Sequence, residues 1–194
     1  MTEQIKNLIN DSIEVKLRVL HNERLHETVE KVVEAVVNCL QRDGKILFAG
    51  NGGSAADAQH LAAELSGRFY HDRDPLFAEA LHVNTSYLTA VANDYSFDEV
   101  YARLVKAKGR KGDVLICLST SGNSPNILKA LETAKQNDLV TVGFTGETGG
   151  KMKPLCDYLL NVPSTDTPRI QESHILLGHI VCQLVEEKLF KQNG

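Results

Sequence analysis

Apolar residues follow two rhythms along this chain. Val29, Val32, Val33, Val36, Val37 and Leu40 recur at alternating spacings of three and one, which stripes one face of a helix. Residues 3–20 carry a looser, more charged version of that pattern and predict an amphipathic helix ahead of it. Asp43-Gly44 stops the second helix, and from Ile46 the rhythm changes to short apolar runs. Runs at 46–49, 78–83, 114–118, 140–144 and 158–162 predict buried strands. Between them, helical patterns begin at about Ser86, run from Asn126 to Gln136, and close the chain from about Pro168 to Phe190. Short apolar strands alternating with helices predict an α/β doubly wound domain, a parallel sheet covered on both faces. No internal repeat, low-complexity tract or linker breaks the pattern, so residues 1–194 read as one domain. The last helix stands out. Ile175, Leu176, Leu177, Ile180, Val181, Leu184 and Val185 occupy too much of its circumference for a single contact face. Such a helix is buried on several sides, and a second subunit is the expected source of the extra burial.

Composition narrows the function. The formal charge of −4 argues against a general nucleic-acid binder, which shows a basic face. Anionic ligands would have to be held by local features such as helix termini. Cys39, Cys117, Cys156 and Cys182 form no Cys-x-x-Cys pair or zinc-ribbon spacing and fit reduced, mostly buried thiols. The N-terminus lacks an apolar signal core, and no run approaches the length of a membrane span. A soluble, cytoplasmic protein is expected.

The candidate chemistry sits where strands end, because ligands of open α/β sheets bind at the carboxyl ends of their strands. The first strand runs into Gly50-Asn51-Gly52-Gly53-Ser54, a turn whose exposed amides and following helix N-terminus suit an anion. It is neither a Gly-x-Gly-x-x-Gly fingerprint nor a P-loop. In the helix that follows, His60 and Glu64 share a face and could grip a metal or move a proton. The third strand runs into Ser119-Thr120-Ser121-Gly122-Asn123-Ser124-Pro125, where Ser124 suits the N-cap and Pro125 the first helical position. Ser119, Thr120 and Ser121 exceed what a cap requires and suit phosphate oxygens. Thr145-Gly146-Glu147-Thr148-Gly149-Gly150-Lys151 reads as a plain turn, and Asn93-Asp94 as a turn or cap. The final helix embeds Arg169, Gln171, Glu172, His174 and His179 among apolar residues, so these need partners or a cavity. Gln171 and His179 lie about 12 Å apart along an ideal helix, a long reach for one site. Either one site spans both turns or an oligomer divides them between two. His174 fits a core histidine.

Taken together, Gly50 to Ser54, His60-x-x-x-Glu64, Ser119 to Ser124, and Arg169-Ile170-Gln171-Glu172 with His179 resemble the phosphoheptose isomerases, a family of the sugar isomerase (SIS) fold. The resemblance spans essentially the whole chain. It implies a five-stranded parallel sheet between helices, a homotetramer, and active sites built between subunits. It also implies a ketose–aldose isomerase that converts sedoheptulose 7-phosphate to D-glycero-D-manno-heptose 7-phosphate, in nucleotide-activated heptose biosynthesis. Carried over residue by residue, a zinc ion would be held by His60, Glu64, Gln171 and His179. Substrate contacts would fall on Asn51, Gly52, Gly53, Glu64, Asn93, Asp94, Ser119, Thr120, Ser121, Ser124 and Gln171, with Glu64 and His179 as the catalytic pair. Pro168 stands where some members carry aspartate, which puts any role of that carboxylate in question. Non-catalytic SIS tetramers, such as initiator-associating or phosphosugar-binding proteins, are the competing resemblance. They lack the glutamate and final histidine that this chain keeps.

Overall fold

The structure, a computed structural model, describes residues 1–190; the last four residues of the single domain expected over 1–194 lie outside the described residues. Two helices come first, α1 (Thr2–Leu20) and α2 (Glu23–Leu40), the second capped by Asn22, whose side chain accepts the Leu25 N–H at 3.1 Å. Then follow β1 (Ile46–Gly50), α3 (Gly53–Ser66), β2 (Ala78–Ala80), α4 (Thr85–Asp94), α5 (Val100–Lys108), β3 (Val114–Leu118), α6 (Pro125–Gln136), β4 (Val140–Thr145), β5 (Tyr158–Asn161) and α7 (Thr167–Phe190). The five strands form one parallel sheet in the order β2-β1-β3-β4-β5. The chain goes from β1 to β2 on one side and then crosses back to β3 on the other side of β1, so the β1/β3 crevice is the switch point of a doubly wound sheet.

Alternate residues of each strand feed two cores. Ile46, Phe48, Val114, Ile116, Leu118 and Phe144 pack with Val32, Val36, Leu61, Leu177 and Val181 from α2, α3 and α7. Leu47, Ala49, Leu115 and Cys117 pack with Tyr101, Val105, Ile127 and Leu131 from α5 and α6. At the strands' amino ends the buried Asp113 accepts the N–H groups of Lys45 and Arg110, both at 2.9 Å, and pairs with the Lys45 ammonium at 2.8 Å. That clamp closes the end of the sheet opposite the candidate loops.

One sequence expectation needs correction. The run at 78–83 gives a strand only over Ala78–Ala80, because β2 is an edge strand and its ladder with β1 ends where the Leu81 N–H meets the Phe48 carbonyl. Beyond it the chain turns into α4, with Asn84 capping the Tyr87 N–H. The helical segment expected from about Ser86 is α4, which starts at Thr85. It ends at Asp94 and resumes as α5 after a single 3-10 turn at Phe97–Glu99. The thiols are free, and all but Cys156 are fully buried.

Candidate active site

The β1–α3 and β3–α6 loops lie side by side at the switch point, joined by a reciprocal amide pair. Asn51 Nδ2 donates to Asn126 Oδ1 at 2.8 Å, and Asn126 Nδ2 returns a bond to Asn51 Oδ1 at 2.9 Å. Both loops open into helices whose N-caps give no side-chain hydrogen bond, Gly52 (φ 56°) for α3 and Ser124 for α6. Ser124 does occupy the cap position before Pro125, but its hydroxyl meets that of Ser119 at 3.2 Å instead of capping. The Ser121 hydroxyl accepts the Asn123 N–H at 3.2 Å. Two helix N-termini and a row of hydroxyls therefore converge, an arrangement with a positive bias toward an anion. Thr145-Gly146-Glu147-Thr148-Gly149-Gly150-Lys151 is the plain turn expected, leading into a 3-10 segment at Gly150–Leu155. Asn93 and Asp94 pair with each other at 2.9 Å at the exposed end of α4.

The second centre lies between α3 and α7, which run in the same direction. Gly178 allows the close approach: a Cβ there would stand 2.5 Å from Leu61 Cδ1. Consequently His179 Nε2 comes to 3.3 Å from His60 Nε2, which also lies 2.8 Å from Glu64 Oε1. One ligand atom from each of the three lies within 4.8 Å of the others. Side chains 119 residues apart thus meet within one chain, and no neighbouring protomer is needed to join Glu64 to His179. Two imidazoles and a carboxylate that converge in this way form a donor set able to hold a divalent metal ion.

Gln171, two turns before His179, reaches the start of α3. A Cβ on Gly53 would collide with its amide, and the amide hydrogen-bonds the Asp57 carboxyl. The α7 side chains at 171 and 179 therefore both address α3, near Asp57 and at His60. Asp57 was not anticipated from the sequence. Burial raises its carboxyl above the usual range, against the lowering effect of Gln171 and of the His60 and His179 charges, and its Oδ2 is buried without a partner. The one available signal was its position, three residues before His60 on the face shared with Glu64. His174 is the core histidine expected: fully buried, with Nε2 3.1 Å from the Thr145 carbonyl and Nδ1 unpartnered.

The sheet, its switch-point loops and the helix pair define a SIS domain, and the SIS-domain family pattern matches residues 10–146. Along nearly its whole length the chain is 52% identical to the phosphoheptose isomerase of Aneurinibacillus thermoaerophilus (98% of this chain, 96% of that protein). It is 54% identical to that of Burkholderia pseudomallei (96% and 94%). The solved phosphoheptose isomerase of Neisseria gonorrhoeae superposes with a TM-score of 0.90 at 44% identity, covering 96% of this chain and 98% of that one. The chain belongs to the phosphoheptose isomerase family.

Proposed function

We propose that this protein is a ketose–aldose isomerase that converts sedoheptulose 7-phosphate to D-glycero-D-manno-heptose 7-phosphate. The observation that carries the reading is the meeting of His60, Glu64 and His179 within one chain of that family. The phosphate is bound by Ser119, Thr120, Ser121 and Ser124, while Asn51, Gly52, Gly53, Asn93, Asp94 and Gln171 contact the sugar. That remote binding energy holds the reacting carbons in register with the catalytic groups. Glu64 removes a proton from carbon 1 and returns it to carbon 2 through an enediol(ate). His179 donates a proton to the oxygen on carbon 2 and accepts the one leaving the oxygen on carbon 1. His60, Glu64, Gln171 and His179 would hold a zinc ion, which when bound polarises the substrate oxygens. No observation favours a non-catalytic binding role.

Residues 1–194 act as one SIS domain in this reading, and four copies assemble in the cytoplasm. The apolar residues left exposed on α1 support the assembly (Ile5, Leu8, Ile9, Ile13, Leu17 and Leu20), and no described helix is long and apolar enough to cross a membrane. The test is incubation with sedoheptulose 7-phosphate, following the aldoheptose product with and without a chelator. Turnover is expected in the wild type, with loss on chelation. Glu64→Gln should lower kcat by about three orders of magnitude or more with an unchanged melting temperature. An active Glu64→Gln variant refutes the base assignment.

A further inference from the structure

Beside the proposed site lies a buried ion pair that this chemistry does not use. The Arg73 and Glu186 side chains are 2% and 1% exposed and meet at 2.9 Å, Nε to Oε1. Glu186 also accepts three consecutive backbone N–H groups, those of Phe69 (3.1 Å), Tyr70 (2.7 Å) and His71 (3.0 Å). Burial alone would raise its carboxyl, but those amides and the guanidinium outweigh it and hold it below the usual carboxylate range. Arg73 in turn donates to the carbonyls of Glu64 (2.9 Å), Leu65 (2.8 Å), Gly67 (3.0 Å) and Asp74 (3.0 Å). The pair closes the C-terminal end of α3, and the chain leaving it, against α7.

A buried ion pair is seldom more stabilising than apolar packing, so its placement asks for a reason beyond stability. Both proposed catalytic side chains are tied to it. Glu64 is tied through its own carbonyl. His179 is tied through Phe69, whose ring lies 5.7 Å from the imidazole at a 34° tilt, while the Phe69 N–H is held by Glu186. The imidazole also meets the His60 ring, centroid to centroid at 4.9 Å. Without such walls, a histidine on an open helix face would sample several side-chain rotamers.

We propose that Phe69, fixed in place by the Arg73–Glu186 pair, is a positioning residue that holds the His179 ring in register with His60 and Glu64. This inference rests on the isomerase reading above for its kinetic consequence, though not for its geometry. The experiment measures steady-state kinetics on sedoheptulose 7-phosphate, zinc affinity by competition with a chelating dye, and melting temperature, all on the full chain. Phe69→Leu should lower kcat about tenfold and zinc affinity about tenfold, with KM within about twofold and the melting temperature nearly unchanged. Phe69→Tyr, which keeps the ring, should restore both. Glu186→Gln should give the same kinetic signature with a lower melting temperature, and should it fail to fold, the two Phe69 variants carry the test alone. Wild-type kcat and zinc affinity in Phe69→Leu, or a loss confined to melting temperature, overturns the proposal. Failure of the isomerase reading looks different: the wild type itself would not turn over, and the ratio of zinc affinities would still decide the positioning role.

Discussion

His174 is held neutral by its surroundings. Burial lowers its pKa from 6.5 to about 4, only partly opposed by the hydrogen bond with the Thr145 carbonyl. Below pH 6.5 the unfolded chain takes up a proton here that the native protein refuses, so stability falls as pH drops from 6.5 towards 4. Between pH 7 and 5 this one residue should remove about 2 kcal/mol of unfolding free energy. His82, lowered by burial in the same way, adds to the loss with the same sign. Urea unfolding at the two pH values checks this, with His174→Gln expected to flatten part of the dependence; a dependence equal to the wild type's would remove His174 as its source. At this scale the sequence was legible in placement, as for His60 and Glu64 on one face of α3 and the hydroxyls at 119–124 at a strand end. Asp57 was not, because an aspartate in the first turns of a helix already satisfies the helix dipole. Its significance depends on Gln171 arriving from the far end of the chain.

Helix α3 carries half of the candidate centre and α7 the other half, and Gly178 sets their separation. Gly178→Ala gains about 1 kcal/mol of helix propensity, but its methyl group would press on the buried Leu61 side chain, an overpacking cost of about 1–3 kcal/mol. Stability is expected to fall by up to about 2 kcal/mol, together with a clear loss of zinc affinity and turnover as His179 is pushed away from His60. Calorimetry alongside metal titration measures both, and unchanged zinc affinity would show that the helix spacing tolerates the methyl group. The sequence announced α3 as the helix opened by the glycine turn and α7 as the apolar helix from about Pro168 to Phe190. It did not announce their parallel docking, because a glycine inside a helix reads as a weak position until the neighbour that needs the space is known. The Arg73–Glu186 pair was hidden for a related reason, since 113 residues separate its members and neither belongs to a local motif. The short β2 was misread because an apolar run does not reveal that its strand lies at a sheet edge.

Across the whole molecule, α1 is the least embedded element. Only Val15 and Val19 are buried along it, while Ile13, Leu17 and Leu20 line an apolar groove with Leu176 and Ile180 of α7. An apolar face of this kind fits the proposed tetramer. Leu17→Glu should therefore lower the assembled mass seen by light scattering from four chains to fewer, with the sheet intact by circular dichroism. A mass unaffected by the substitution would point to another interface. The surplus of apolar residues on α7 was readable from the sequence, whereas the α1 groove they share was not, because the charged residues of α1 mask its stripe. The separation in sequence between the two centres also has a consequence for biosynthesis. A ribosome delivers both switch-point loops well before α7, so a chain still being made carries both loops while half of its proton-transfer machinery, and part of the core beneath the loops, has yet to be translated. Premature termination between residues 125 and 178 would thus leave both loops without the α7 residues Val181 and Val185 that pack against the sheet, so neither sugar-ester binding nor turnover is expected of such a chain.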